Sequence, residues 1–257
     1  LNWSQVISQI GSFEKLSLAD LAAVKLQNRC DTKFTFHKSQ LSRFLELVRD
    51  SYGALSIDGE ELMNYESLYY DTPDFDLYLM HHNERRNRFK IRYRKYVVSD
   101  LTFFEIKVKN NKGRTVKRRV KVAEIEKVIS GDAKKHYLDE QALSYIVNEP
   151  IENLQPSLGI NFSRITLADK SFKERATIDV GLHYLMNGKT IRDDNLVIAE
   201  LKQDMFSRES RFMSALNELH INPLRISKYC YGMKKMYPYL KSNNFKSKFS
   251  KIKKLSA

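Results

Sequence analysis

Cysteine, glycine and proline are all scarce in this chain, and so are acidic residues relative to basic ones. The two cysteines, Cys30 and Cys230, stand far apart. They read as buried thiols rather than a disulfide, which suits a reducing compartment. Nine Gly and five Pro exclude a low-complexity chain. No apolar run is long enough to span a bilayer and no leader peptide is evident, so a cytoplasmic protein is expected. The start at Leu1 reads as the loss of a residue or more. Against 31 Asp and Glu stand 44 Lys and Arg, a net charge of +13. That excess points to an anionic partner: nucleic acid, polyphosphate, nucleotides or an acidic membrane surface. The 257 residues hold one large domain or two small ones, and 42% hydrophobic content supplies a sizeable core. No composition shift marks a linker, and no repeat is present.

The cations are not spread evenly. From Arg86 to Lys121 the chain alternates with period two and reads as three strands joined by turns. Arg88, Lys90, Arg92 and Arg94 fall on one face, with Phe89, Ile91 and Tyr93 on the other. Glu105, Lys107 and Lys109 oppose Phe104, Ile106 and Val108. Lys117, Arg119 and Lys121 oppose Val116, Val120 and Val122, and Arg118 breaks the apolar side. A solvated polar face is the ordinary explanation of such alternation. Like charges across neighbouring strands are destabilising, however. Two cations about 4 Å apart repel by about 4 kcal/mol at an effective dielectric of about 20. A polyanion would relieve that repulsion.

The same polar face recurs along the chain. Residues 1–28 read as helices that pack on the rest, and residues 29–37 as a strand with Arg29, Asp31 and Lys33 on one side. Ser39 is the expected cap of a helix ending near Asp50. After a turn at Ser56–Glu61 comes a strand from Asn64 to Tyr70. Asp71-Thr72-Pro73 then stops it and opens a helix in which His81 and His82 are surface residues. Short helices are expected over Val122–Ile129 and His136–Val147. Strands follow at Leu158–Leu167, carrying Arg164, and at Glu174–Val180, carrying Arg175 and Asp179. Asn187-Gly188 marks a hairpin. The last strand, Asn195–Gln203, bears Glu200 and Lys202. Helices are expected over Arg208–Leu219 and Ser227–Tyr237, the second capped by Ser227. The stretch from Lys241 to Ala257 reads as a flexible basic tail able to touch an anionic surface.

The simplest geometry that gathers these faces is an α+β fold. In it an antiparallel barrel of about eight strands closes with its charges inside and helices outside. Such a water-filled cationic tunnel suits a chain of phosphates. Nucleic acid is disfavoured as a partner, since the cations alternate with apolar residues on many strands and lack a stacking platform of aromatics.

Five motifs occur in order: Asp71-Thr72-Pro73, Ile91-Arg92-Tyr93-Arg94, Phe104-Glu105-Ile106-Lys107, Ala199-Glu200-Leu201-Lys202 and Ser227-Lys228-Tyr229. Together they resemble the polyphosphate-polymerase domain of the vacuolar transporter chaperone (VTC) complex, in its bacterial stand-alone form. That domain is similar to the triphosphate tunnel metalloenzymes and CYTH hydrolases. The resemblance spans residues 28–237. It implies transfer of the γ-phosphate of ATP to a polyphosphate chain with Mn²⁺ or Mg²⁺. It also implies catalytic roles for Arg92, Arg94, Lys107, Arg164 and Glu200, with Glu200 holding the metal. Lys33, Arg119, Arg175, Ser227 and Lys228 would bind substrate, and the alternation adds Arg88, Lys109, Lys117 and Lys202 to that set. Asp31, Glu105 and Asp179 are expected as ion-pair partners. Two departures stand out. The first strand has Arg29-x-Asp31-x-Lys33 where the hydrolases have Glu-x-Glu-x-Lys, and Lys109 stands where the eukaryotic domain has histidine. The alternatives are a tripolyphosphatase or nucleoside triphosphatase on the same fold, and a non-catalytic polyphosphate-binding module. Translocation of product would require a membrane-protein partner at the inner face of the membrane.

Overall fold

The computed structural model describes residues 3–23, 30–204, 207 and 209–256. Its strands are β1 (Glu14–Leu16), β2 (Cys30–His37), β3 (Tyr52–Leu55), β4 (Met63–Asp71), β5 (Arg88–Tyr96), β6 (Leu101–Lys109), β7 (Thr115–Val122), β8 (Gln155–Asp169), β9 (Glu174–Met186), β10 (Lys189–Asp193) and β11 (Leu196–Gln203). Its helices are α1 (Trp3–Gly11), α2 (Leu18–Ala23), α3 (Leu41–Val48), α4 (Asp76–His82), α5 (Gly131–Leu143), α6 (Arg211–Glu218), α7 (Lys228–Met236) and α8 (Lys246–Ser256). All the strands join one mixed-length sheet with the main order β2-β11-β9-β8-β4-β5-β6-β7, and β10 and β3 attach to β9 and β8. Each neighbouring pair on that path is antiparallel.

The period-two pattern becomes two faces. On one, Phe89, Ile91, Tyr93, Phe104 and Ile106 are fully buried beneath Ala133 and Tyr137 of α5. Farther along the same side, Phe34, Phe36, Ile165, Ile178, Val197 and Ala199 pack against α1, α3 and α6. The other face carries the charges, and the sheet curls around it. Lys33 on β2 reaches the Ile226 carbonyl at 3.3 Å, and Lys90 on β5 reaches Ser227 Oγ at 2.8 Å. These strands are five steps apart in the sheet. A flat sheet would hold them about 24 Å apart at about 4.8 Å per step. They meet at adjacent residues, so the charged face is concave.

The closed barrel expected from the sequence is not formed by the backbone ladder. Among the described residues β2 and β7 do not pair. The outer edge of β2 is taken instead by the chain before α7. Phe34 bridges Pro223, and the Leu224 N–H donates to the Lys33 carbonyl. Proline has no N–H to extend that pairing into a strand. At the far end β7 is a largely exposed edge bearing Lys117, Arg118, Arg119 and Lys121, and charge on an edge discourages further strand addition.

Other differences have local causes. Residues 123–130 are irregular rather than helical, because Tyr70 donates to the Glu126 carbonyl and Tyr93 and Ser130 donate to its carboxylate. The next helix is α5, which begins earlier than expected. Ser39 does not cap α3; its N–H donates to His37 Nδ1 instead. The basic C-terminal stretch is helical, not loose. Phe245, Phe249 and Ile252 recur at helical spacing, and Ile252 is 0% exposed in the cluster that also holds Tyr231 and Met233. Arg29 and Arg208 lie outside the described residues. No helix among the described residues is long and apolar enough to cross a membrane.

One buried carboxylate ties the frame to α7. Asp71 accepts the N–H groups of Thr72, Leu77 and Tyr78 at 2.8, 2.8 and 2.9 Å, and the Tyr229 hydroxyl as well. It thereby caps α4 and fixes the first turn of α7 at once. Burial pushes its carboxyl up to about 6, against those four donors. Gly232 lets α7 lie close to the sheet: a Cβ there would stand 2.8 Å from Leu158 Cδ2 and closer still to the Tyr184 ring. Gly232→Ala should therefore overpack this contact and cost about 1–3 kcal/mol. The measurement is urea unfolding, with a lower midpoint and an unchanged slope. An unchanged midpoint would contradict the close packing.

Candidate functional site

The strand registers set the charges in rows across the concave face. Lys90, Lys107 and Lys117 are directly opposite one another on β5, β6 and β7, and Arg92, Glu105 and Arg119 form the next row. On the facing wall Lys33 lies opposite Glu200, and Asp31 opposite Lys202, which is in turn opposite Arg175. Arg164 lies opposite Asp179. The N-terminus of α7 closes the group from within, with Ser227 as its cap and Lys228 as its first residue.

Three carboxylates hold six of these cations. Glu105 binds Arg92, with the guanidinium Nε at 2.7 Å, and also binds Lys117. Asp179 takes a two-pronged contact from Arg164, at 2.5 and 2.8 Å, and a second cation from Lys228. Glu200 binds Lys202 and lies 3.8 Å from Lys33. Burial alone would raise all three carboxyls. The cations outweigh it: Arg92, Arg94 and Lys117 hold Glu105 down at about 2, and Lys33 and Lys202 hold Glu200 at about 2. Asp179 is driven lower still by Arg164 and Lys228. All three are therefore ionised anchors at neutral pH.

Lys90, Arg94 and Lys107 form no ion pair among the described residues. Arg94 is 7% exposed and donates to Ser67 Oγ at 3.1 Å, with its guanidinium over the Tyr65 and Phe162 rings. Burial and then Arg92 push it down to about 10. Lys107 still reaches solvent, yet desolvation and then Lys90 and Lys33 push it down to about 8. Lys228 is also pushed to about 8, by burial first, with Arg164 and Lys33 opposing its charge. Tyr69 shows the same field from the other side. Burial would raise its phenol, but Arg92, Arg94 and Lys90 bring it down to about 8.

Two cavities open on this face. One, of about 520 Å³, is lined by Arg88, Lys90, Lys107, Lys109 and Ser227, and by Lys248 of α8. The other, of about 470 Å³, is lined by Lys117, Arg119, Arg164, Arg175 and Lys202. Lys107 of the first and Lys117 of the second are cross-strand neighbours, so the cavities adjoin on this face.

The structure thus brings together Lys33, Arg92, Arg94, Lys107, Arg164, Glu200, Lys202, Ser227 and Lys228. It sets Arg88 and Lys109 in one cavity and Lys117 and Arg175 in the other. Arg119 is more peripheral, exposed and stacked 4.3 Å above the Phe103 ring. Sequence reasoning placed Lys90 on the right face but did not single it out. Its neighbour in space, Ser227, is 137 positions away, and no spacing in the chain signals that contact. Tyr69, which accepts from Arg92 at 2.7 Å, was missed for the same reason.

Among the described residues no three His, Cys, Asp or Glu side chains converge on a point that would cage a metal. Glu105 and Asp179 are each occupied by two cations. Glu200 is the carboxylate with an oxygen left at the longer 3.8 Å contact. One carboxylate with phosphate oxygens and water suits Mg²⁺ or Mn²⁺ carried in by a nucleotide.

A profile of the VTC domain family matches residues 28–237. No curated protein matches the chain in sequence. Among solved structures, a candidate adenylyl cyclase from Hippeastrum, described as revealing a dominant triphosphatase activity, aligns with a TM-score of 0.51 at 12% identity, over 80% of this chain and 95% of that one. A candidate adenylate cyclase from Bacillus halodurans aligns with a TM-score of 0.49 at 15% identity, over 78% of this chain and 96% of that one. The first of these likenesses establishes a shared fold.

The crowding of Lys107 and Lys228 has a pH signature. A polyanion binds the ammonium form, so its affinity is complete below about 8 and declines above. For each lysine the decline is up to about tenfold per pH unit. Calorimetric titration of the metal-free protein with inorganic tripolyphosphate at fixed ionic strength should show this decline. Lys107→Arg, which keeps its charge, should shift it to higher pH. Identical pH profiles for the two proteins would contradict the assignment.

Proposed function

The chain belongs to the VTC domain family, and on that premise we propose that it is a polyphosphate polymerase that moves the γ-phosphate of ATP onto a polyphosphate chain. The carrying observation is the trio Lys90, Arg94 and Lys107, three cations without carboxylates inside a ring of cations that have them. Such a set has a deficit of negative charge, which a triphosphate supplies. The two cavities are taken as the two mouths of one passage.

In this reading Arg94 and Lys107 bind the phosphate being transferred. Arg92 and Arg164, oriented by Glu105 and Asp179, present their remaining N–H edges to its neighbours. Ser227 and Lys228 hold a phosphate at the start of α7, where the unpaired backbone N–H groups favour anions. A divalent ion arriving with the nucleotide would be held by Glu200 and phosphate oxygens and would neutralise charge between the β and γ positions. A terminal oxygen of the polymer attacks the γ-phosphorus in line. The bond from that phosphorus to the β-γ bridging oxygen breaks, and ADP leaves with the electron pair. No protein nucleophile is required, because the site works by positioning and charge stabilisation.

Water as acceptor is the second reading. The Hippeastrum protein that shares the fold is described with triphosphatase activity. Incubation with ATP and Mn²⁺ separates the two. Long chains resolved on a gel, with ADP, support the polymerase. Free phosphate without chains supports a hydrolase. Glu200→Gln should abolish metal-dependent turnover, while metal-free binding of tripolyphosphate stays within about threefold of wild type. Full activity in that variant would overturn the metal role of Glu200.

A further inference from the structure

One strand of the concave face adds no charge to it. β4 turns Tyr65, Ser67 and Tyr69 inward, and all three are buried. Tyr69 lies directly opposite Arg92 in the β4–β5 ladder. Its ring is 4.9 Å from that of Tyr229, and its backbone carbonyl accepts from Ser157 Oγ at 3.1 Å, so the residue is held at both ends. It is only 6% exposed, and its hydroxyl oxygen accepts from Arg92 at 2.7 Å.

The hydroxyl hydrogen is left over. A phenol donates as well as accepts, whereas arginine and lysine only donate. The charged groups facing this oxygen are Arg92, Arg94 and Lys90, all from β5. On β6, Glu105 is bound to Arg92 and Lys117. On α7, Tyr229 gives its own hydroxyl to Asp71, and on β9 the Tyr184 hydroxyl makes no hydrogen bond. Among the described residues the Tyr69 hydroxyl therefore has a donor to accept from and no acceptor to donate to.

We propose that the Tyr69 hydroxyl is a substrate-binding group of the phosphate site: its oxygen steadies Arg92 while its hydrogen is given to an oxygen of the bound phosphate chain. This rests on the phosphoryl-transfer reading above and adds a neutral donor beside Arg92. A phosphate supplies the missing acceptor, and a hydrogen bond to a charged partner is stronger than one between neutral groups. The arrangement also couples binding to a proton. In the empty site burial opposes ionisation of the phenol, but Arg92, Arg94 and Lys90 overcome it and bring it down to about 8. A polyanion at the same oxygen reverses the balance, because it would repel a phenolate. Above that pH, binding draws one proton from solvent onto the Tyr69 oxygen, and release returns it. Tyr184 and Tyr229 keep their protons in both states, since burial pushes both phenols well up.

The test follows the ultraviolet absorbance of tyrosinate in the metal-free protein from neutral to alkaline pH, at fixed ionic strength, with and without inorganic tripolyphosphate. The lysines that titrate in the same range are silent in this signal. Wild type should show one tyrosine ionising near pH 8, ahead of the others. Saturating tripolyphosphate should raise that midpoint by at least about one pH unit, equivalent to about tenfold tighter binding to the phenol than to the phenolate. Tyr69→Phe keeps the ring and its stacking. It should lack the early step, bind tripolyphosphate about five- to tenfold more weakly at neutral pH, and lose affinity less steeply as pH rises. The wild-type titration needs no variant and decides the matter even if Tyr69→Phe folds poorly. An early step that is absent from wild type, persists in Tyr69→Phe or is unmoved by tripolyphosphate overturns the donor role. So does a Tyr69→Phe protein with wild-type affinity, or one with weakened affinity and the wild-type pH slope, which marks a structural role through Arg92 alone. In each of these outcomes wild type still binds tripolyphosphate and the phosphate site stands. A wild-type protein that does not bind tripolyphosphate overturns the parent reading and the role of Tyr69 with it.

Discussion

Repulsion among like charges on the concave face is the constraint on which the rest of the structure depends. Lys90, Lys107 and Lys117 face one another on three consecutive strands. A curled sheet brings Lys33 into the same field. The chain meets this partly with three shared carboxylates, each holding two cations. It leaves Lys90, Arg94 and Lys107 outside that arrangement. Arg94 is the buried member of the three, and a face built only for stability would pair it or replace it with a neutral residue, since buried ionic groups are seldom the most stabilising choice. In the proposed reading, a bound polyanion would supply the charge that this trio lacks.

Holding such a face together requires a strong frame behind it. That frame is the apolar side of the same strands, covered by α1, α3 and α6 at one end and by α5 at the other. Asp71 joins the frame to the site. Its carboxylate fixes the start of α4 and the Tyr229 hydroxyl together, so the α7 N-terminus keeps its aim. Tyr229 in turn stacks on Tyr69 at 4.9 Å and lies 5.4 Å from the Lys90 ammonium. A single buried anion thus organises a path from the scaffold to an unpaired cation.

Much of this was legible in the chain. The alternation from Arg88 to Lys121 assigned both faces of β5–β7 correctly, because a strand has a fixed side-chain period and both partners of each pair are close in sequence. Asn187-Gly188 marked the β9–β10 hairpin for a similar reason, with both residues at positive φ. What escaped depends on distant contacts. Alternation says which face is charged but not whether the edge strands meet, and the Pro223–Leu224 segment on β2 decides that. Lys-rich composition hid the apolar stripe of Phe245, just before α8, and Phe249 and Ile252 within it, and with it one wall of a cavity. Tyr70 and Tyr93 draw residues 123–130 away from a helix that local propensity favours. Lys90 stood in plain sight, but its importance comes from lacking a carboxylate partner, and only the assembled fold reveals that.

The most direct measurement is the thermal stability of the metal-free protein with added tripolyphosphate, set against sodium chloride at matched ionic strength and against RNA. A concave site with three unneutralised cations predicts a large rise in melting temperature with tripolyphosphate at micromolar concentration, lost steeply as salt increases, and a small rise with salt alone. Equal stabilisation by tripolyphosphate and by salt, or displacement of tripolyphosphate by RNA, would contradict an interior phosphate site and return the charge to an ordinary solvated surface.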